Sequence, residues 1–191
     1  MKHMLLIISV SLIMGAFTDT KEKWIALGDS ITYLNEHPDE AGNRITKGYM
    51  TRVAEKLPQI NYVNKGYNGW TASMVAGEID KLEIESSDVY TVFLGTNDWW
   101  SGVPLGTLND YIENKGNRTF YGSYRIIINK LFSLNKKAKI VLITPMQRGD
   151  FVYIADYKNN AFGSYKLKNG QSLAAFAEAV EIIGRYEKLE V

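Results

Sequence analysis

The sequence contains no cysteine and only two histidines among its 191 residues. The lack of cysteine rules out thiol chemistry, and a well-packed domain of this size does not need disulfides. A strong excess of charge is also absent, because 22 basic residues are set against 21 acidic ones. No field of one sign therefore indicates binding to nucleic acid or to an anionic membrane surface. A compact neutral or mixed substrate fits this composition better.

Residues 1–20 differ from the rest of the chain. A short basic start precedes an apolar run over residues 4–17 that carries no charge. The run is shorter than the roughly 20 apolar residues of a spanning helix, and the small residues Gly15, Ala16 and Thr18 follow where a peptidase would cut. We interpret this segment as a secretory signal peptide, with an uncleaved membrane anchor as the alternative, and we predict a secreted or periplasmic protein. No other contact with a membrane is expected.

The remaining residues, 21–191, have the composition of one globular domain. Apolar runs that end in turn signals predict four buried strands, and three-and-four spacing of apolar residues predicts helices between them. Alternating helices and nearly continuous apolar strands are typical of a parallel sheet covered on both faces. The predicted fold class is therefore α/β, a three-layer sandwich with strand order 2-1-3-4-(5). The predicted strands are residues 23–27, 60–64, 89–94 and 139–144, and the predicted helices are residues 46–57, 72–82, 119–134 and 171–189.

Two stretches without periodicity, residues 99–118 and 151–169, are predicted to be long loops. The last five residues, 187–191, resemble the end of a helix that turns into a fifth strand, and the chain stops before that strand is complete.

The turns after the first three strands carry polar residues. They contain Gly28-Asp29-Ser30, residues 64–71 and Gly95-Thr96-Asn97-Asp98. In strand order 2-1-3 these turns lie side by side at the carboxyl edge of the sheet, where ligands bind in open α/β folds. A serine hydroxyl can attack an ester carbonyl, while a backbone N–H at a glycine and an amide side chain stabilise the developing oxyanion. The three turns together therefore indicate acyl transfer.

These three motifs resemble blocks I, II and III of the SGNH hydrolases, also called GDSL esterases and lipases. The resemblance implies that Ser30 is the nucleophile and that its N–H, the Gly69 N–H and the Asn97 amide form the oxyanion hole. It also implies a flavodoxin-like fold and no cofactor or metal. The matching part of the chain covers roughly residues 23–191.

The family's last motif, an Asp-x-x-His that supplies the general base, is missing from the sequence. His3 lies in the predicted signal segment, and His37 lies in a predicted loop seven residues after Ser30. A base must come within about 3 Å of the hydroxyl, and we interpret His37 as an exposed loop residue. We therefore expect the chain to be a fragment of an esterase that is inactive or weak without its histidine.

The same residues also fit two other α/β folds in part. A receiver domain would use Asp29 and Asp98 for Mg²⁺, but Ser30 and Asn97 argue against it, and Asp29 is expected to hold its turn through backbone hydrogen bonds. A flavodoxin that binds FMN would need a phosphate-binding loop after the first strand. Asp29 lies in that turn, and its negative charge would repel a phosphate. Arg148-Gly149-Asp150 is interpreted as a turn, and Tyr153, Tyr157 and Tyr165 are candidates to line the substrate side.

Tryptophans flank the predicted site. Trp70, Trp99 and Trp100 are candidates to form a wall for a sugar ring or an acyl chain, and packing in the core is the alternative for each. If Trp99 and Trp100 lay on one extended strand, only one of them could point inward.

The sequence thus predicts an exported serine esterase that hydrolyses a small-molecule or glycan ester, with a short acyl group on a carbohydrate favoured. The alternative is a catalytically inactive module that binds carbohydrate esters.

Overall fold

A computed structural model describes residues 21–42, 46–147 and 170–191. Four strands form one parallel sheet in the order β2-β1-β3-β4, which confirms the predicted fold class. Each strand agrees with its predicted position to within two residues at either end. The strands are β1 (Glu22–Gly28), β2 (Ile60–Gly66), β3 (Val89–Phe93) and β4 (Lys139–Ile143).

The register of the sheet brings the first three strands to the same level. Gly28, the last residue of β1, pairs with Gly66 at the end of β2 and with Phe93 at the end of β3. The turns that follow these strands therefore begin side by side at one edge, as the sequence predicts.

Helices follow the strands along the chain. They are α1 (Ser30–Tyr33), α2 (Tyr49–Lys56), α3 (Ala72–Glu78), α4 (Thr96–Ser101), α5 (Leu108–Ile112), α6 (Phe120–Leu134) and α7 (Leu173–Glu187), with a 3-10 turn at Leu34–Glu36. The prediction of one long loop over residues 99–118 is wrong, because α4 extends into this stretch and α5 lies inside it. Gly102 ends α4 in a left-handed conformation, and Thr107 and Asp110 form a capping box that starts α5.

The two faces of the sheet are covered unequally in the described residues. On one face a large core packs α3, α6 and α7 against residues such as Ile25, Leu27 and Val92. On the other face a smaller cluster joins Trp24 and Ala26 to α2. The turns of the candidate site lie at the carboxyl end of the sheet.

After α7 the chain approaches the free edge of β4. Glu190 forms a parallel bridge with Val141, and its carbonyl accepts a hydrogen bond from the Leu142 N–H at 2.9 Å. This is the position predicted for a fifth strand. None of the helices in the described ranges has the length and apolar character that a membrane span requires.

Several predictions concern residues outside the described ranges. They are the signal segment 1–20, the turn at Arg148-Gly149-Asp150 and the loop over residues 151–169 with Tyr153, Tyr157 and Tyr165.

Candidate active site

The turn between β1 and α1 carries the candidate nucleophile. Asp29 is the N-cap of α1, and its Oδ1 accepts a hydrogen bond from the Ile31 N–H at 3.0 Å, which confirms its predicted role in the turn. Burial raises the pKa of the Asp29 carboxyl, while backbone hydrogen bonds oppose that shift. Ser30 is half-buried at the first position of α1, and its hydroxyl makes no hydrogen bond within the described residues.

Two glycines let α1 lie directly on the strand ends. A Cβ on Gly28 would overlap the Thr32 side chain, and a Cβ on Gly66 would overlap the backbone nitrogen of Tyr33. Only glycine tolerates so close an approach of two backbones. The first turn of α1, with Ser30, is thus held against β1 and β2.

The end of β2 is tied to this turn by Asn64. Its Oδ1 accepts from the Gly66 N–H at 2.8 Å, and its Nδ2 donates to the carbonyls of Thr32 at 3.0 Å and Tyr33 at 3.3 Å. Three residues beyond Gly66, the exposed Gly69 adopts a positive φ of 78°. This left-handed conformation favours glycine, and nothing lies within 4 Å of where a Cβ would stand. The Gly69 backbone is open on that side.

The turn after β3 contacts the turn after β2. Asn97 Nδ2 donates a hydrogen bond to the Trp70 carbonyl at 2.9 Å. A carboxamide nitrogen carries two N–H donors, so this bond fixes the plane of the amide and leaves a second N–H for another acceptor. Asn97 is half-buried, so its side chain can be reached from solvent.

Asp98, the next residue, is fully buried. Its two carboxyl oxygens lie 2.9 and 3.1 Å from the Ala72 nitrogen at the start of α3, so the Ala72 N–H donates to this carboxylate. Burial raises the pKa of Asp98 to about 7 against opposing backbone hydrogen bonds, and the charge of Asp29 raises it further. The Asp29 N–H donates to the Phe93 carbonyl at the end of β3 at 3.3 Å, so the turns after β1 and β3 also meet, and the three turns converge at one edge of the sheet.

The aromatic side chains around this edge differ in exposure. Trp70 stacks on Tyr67 with ring centroids 4.6 Å apart, and both are half-buried. Trp99 is fully buried, whereas Trp100 is half-buried and meets it edge to face at 5.9 Å. The placement of Trp99 corrects the idea that it lines the site and agrees with the packing alternative. Both residues lie on α4 and not on an extended strand.

His37 is not the exposed residue that the sequence suggested. Its ring is half-buried, stacks on Tyr33 with centroids 3.9 Å apart, and places Nδ1 2.8 Å from the Tyr33 carbonyl. No hydrogen bond joins His37 to Ser30 in the structure as described.

Sequence reasoning missed two features of the site. One is the hydrogen bond between Asp98 and the start of α3, which could not be predicted from the position of Asp98 after Asn97. An apolar cavity of about 610 Å³ opens beside Ile31, between α2 and the ends of β3 and β4, with Phe93, Ile143 and Met146 in its lining. Its residues come from four separate segments, so no local pattern could reveal it.

The GDSL-like lipase/acylhydrolase family model matches residues 26–188. None of the curated proteins compared with the chain matches it. The crystal structure of a possible lipase from Chitinophaga pinensis is 63% identical, with a TM-score of 0.83, and the match covers 90% of this chain and 66% of that one. The chain thus spans just under two thirds of that relative's length.

Two acetyl xylan esterases share the fold at lower identity. One is 22% identical with a TM-score of 0.59, and the match covers 88% of this chain and 75% of that chain. A variant of an acetyl xylan esterase from Geobacillus stearothermophilus is 18% identical with a TM-score of 0.55, covering 88% and 74%. These likenesses concern the flavodoxin-like fold alone. With three motifs following three adjacent strands and a family match over most of its length, the chain belongs to the GDSL-like lipase/acylhydrolase family, the SGNH hydrolases.

Proposed function

We propose that this protein is an exported serine esterase in which Ser30 is the nucleophile. The observation that carries the proposal is the hydrogen bond from Asn97 to the Trp70 carbonyl, which joins the turn after β3 to the turn that contains Gly69. The N–H of Asp29, directly before Ser30, donates a hydrogen bond to the last carbonyl of β3 at 3.3 Å. Hydroxyl, glycine N–H and carboxamide thus belong to turns that are bound to one another.

In the proposed reaction the Ser30 oxygen attacks the ester carbonyl carbon, and its proton passes to a general base. The carbonyl π electrons move to the oxygen, which the N–H groups of Ser30 and Gly69 and the Asn97 amide stabilise. Collapse of this intermediate expels the alcohol, which takes the proton from the base, and leaves an acyl group on Ser30. Water, deprotonated by the same base, then attacks the acyl carbon. The bond between that carbon and the Ser30 oxygen breaks, the acid leaves, and the base returns the proton to Ser30.

We expect the base to be the histidine of the family's Asp-x-x-His motif, supplied by sequence that these 191 residues do not contain. The 66% coverage of the Chitinophaga structure supports this expectation. His37 is the weaker candidate, because its ring is already engaged by Tyr33 through stacking and a hydrogen bond.

For the substrate we propose a short acyl ester on a carbohydrate. The half-buried stacked pair of Tyr67 and Trp70 lies next to Gly69 and offers an aromatic surface of the kind on which sugar rings pack. The apolar cavity beside Ile31 is large enough to hold the acyl group of such an ester. Relatives of the same fold include acetyl xylan esterases. Export rests on the character of residues 1–20.

The experiment compares two proteins in hydrolysis of p-nitrophenyl acetate and of acetylated xylo-oligosaccharides. One is the 191-residue chain, and the other, the extended chain, carries in addition the C-terminal part of the Chitinophaga relative. We expect turnover in the extended chain, its loss in Ser30→Ala, and little effect of His37→Ala. Turnover that survives Ser30→Ala would exclude the proposed nucleophile, and activity of the short chain that His37→Ala abolishes would make His37 the base.

A second candidate function is an inactive module that binds carbohydrate esters. The observation that favours it is the scarcity of histidine, since His37 is the only one in the described ranges and makes no bond to Ser30. Affinity for acetylated sugars without turnover in either protein would support the module against the enzyme.

A further inference from the structure

The backbone that follows Gly69 is held by two neighbouring side chains of α4. Asn97 donates to the Trp70 carbonyl at 2.9 Å, and Asp98 accepts from the Ala72 N–H at 2.9 Å. These contacts lie one and three residues after Gly69. Gly69 itself is exposed, and no heavy atom lies near the place of its missing side chain. A hydrogen bond from the Trp70 N–H to the Tyr67 carbonyl at 3.1 Å closes the turn around Gly69. Its orientation therefore depends on this turn and on how firmly the following residues are anchored.

We propose that Asp98 is a positioning residue, which sets the direction of the Gly69 N–H through its hydrogen bond to Ala72. This inference rests on the proposed function in one respect, because the oxyanion role of Gly69 belongs to that function. The mechanical link from Asp98 to Gly69 does not depend on any reaction.

The bond between Asp98 and Ala72 changes strength with the charge on Asp98. An ionised carboxylate accepts a shorter and stronger hydrogen bond than a neutral carboxylic acid does. The pKa of Asp98 is raised to about 7, chiefly by burial. The titratable groups that face it are Asp29 at the end of β1, which raises the pKa further, and the buried Tyr124 on α6, whose own pKa lies well above its usual value. The turn is therefore held most firmly above about pH 7.

The test follows the amide signals of Gly69 and Ala72 by ¹H–¹⁵N NMR in the full 191-residue chain, from about pH 5 to about pH 9. We expect both signals to titrate together with a midpoint near the pKa of about 7. In Asp98→Asn, where the side chain can still accept from Ala72, both titrations should disappear. The control is Asp110→Asn, because Asp110 is also a helix-capping carboxylate, at the start of α5; it should leave both titrations unchanged.

A Gly69 signal that stays constant while Ala72 titrates would overturn the inference. So would a Gly69 titration that persists in Asp98→Asn, since it would then come from Asp29. The wild-type titration needs no variant, so a variant that fails to fold does not remove the test.

A kinetic measurement on the extended chain gives a second readout. Asp98→Ala should lower kcat by up to about 100-fold with little change in KM, because a misdirected donor affects the transition state more than substrate binding. Asp98→Asn should recover most of that loss and flatten the pH profile near neutrality. An unchanged kcat in Asp98→Ala would count against the inference. If the extended chain shows no turnover at all but the Gly69 signal still titrates with Asp98, the esterase proposal is wrong and the positioning role of Asp98 is retained.

Discussion

Asn64, Asn97 and Asp98 each join one loop of the site to another through the backbone. Asn64 binds carbonyls of α1, Asn97 binds Trp70 and Asp98 binds Ala72. Polar side chains that leave water are costly unless they are hydrogen-bonded, so partial or full burial favours a single arrangement in which all three are paired. At this scale the residues that stabilise the turns also direct the groups proposed for catalysis.

Asn97→Ala affects both of these roles. It removes a proposed oxyanion donor, and we expect kcat of the extended chain to fall by about 100- to 1000-fold. It also removes the bond to the Trp70 carbonyl, which should lower the free energy of unfolding by about 1 kcal/mol. Hydrolysis of p-nitrophenyl acetate and urea unfolding measure the two effects.

Asn117→Ala is the matched control for this variant. Asn117 Nδ2 donates to the Ser73 carbonyl at 3.2 Å, so it is another side-chain amide bound to the backbone near the start of α3. Its removal should cost a similar stability, again about 1 kcal/mol, and leave kcat unchanged. If the two variants lower kcat equally, Asn97 acts only through the structure of the turn.

Asp98→Asn should change how stability depends on pH. The folded protein holds the Asp98 proton more tightly than the unfolded chain, because burial raises its pKa from 3.8 to about 7. The contribution of Asp98 to the free energy of unfolding of the wild type therefore falls as pH rises from about 4 to about 7. The variant lacks this contribution, so its stability relative to the wild type should increase over that range by at most about 4 kcal/mol. Asp29 is present in both proteins, and the loss of its repulsion with ionised Asp98 is part of the difference that the comparison measures.

Thermal unfolding of both proteins across this pH range measures the difference. A constant difference between them would mean that Asp98 has an ordinary pKa in the folded state. Ionised Asp98 would hold its turn most firmly but lower the overall stability, so activity and stability are expected to change in opposite directions near neutral pH.

At the scale of elements, the signals in the sequence differed in strength. The four strands were predictable because each is a compact apolar run with a turn after it, and their ends came within two residues of the structure. Helices α4 and α5 were not predicted, since they have only six and five residues and start and end through caps such as Thr107, Asp110 and Gly102. The turns at Ser30, Gly69 and Asn97 were found from their motifs, but the cavity and the contact of Asp98 depend on residues distant in sequence.

Two glycines of the site should respond differently to alanine. In Gly66→Ala the new Cβ would overlap the backbone of Tyr33, so α1 or β2 must move, and we expect a loss of about 3 kcal/mol or more. In Gly69→Ala the space is open, and only the positive φ of 78° is unfavourable, which costs about 1–2 kcal/mol. Urea unfolding of both variants gives the comparison. Equal losses would show that α1 does not rest on the end of β2 in solution.

At the scale of the whole molecule, the sheet divides the described residues into two unequal packing layers. The layer with α3, α6 and α7 contains most of the fully buried side chains, among them Ile127 on α6. The layer with α2 contains the buried residues Trp24, Ala26 and Met50, with Val53 only partly buried beside them. Because apolar burial is the main favourable contribution to folding, the first layer should dominate the stability on which the site depends.

Cavity-creating variants on the two faces test this division. Ile127→Ala should lower the free energy of unfolding by about 2–5 kcal/mol, as expected for a fully buried aliphatic side chain. Val53→Ala, on the partly buried face of α2, should cost no more than about 1.5 kcal/mol. Urea unfolding of the 191-residue chain measures both. Equal losses would mean that the α2 face is covered in solution, and repeating the comparison in the extended chain shows whether the additional sequence covers it, because the cost of Val53→Ala would then rise there.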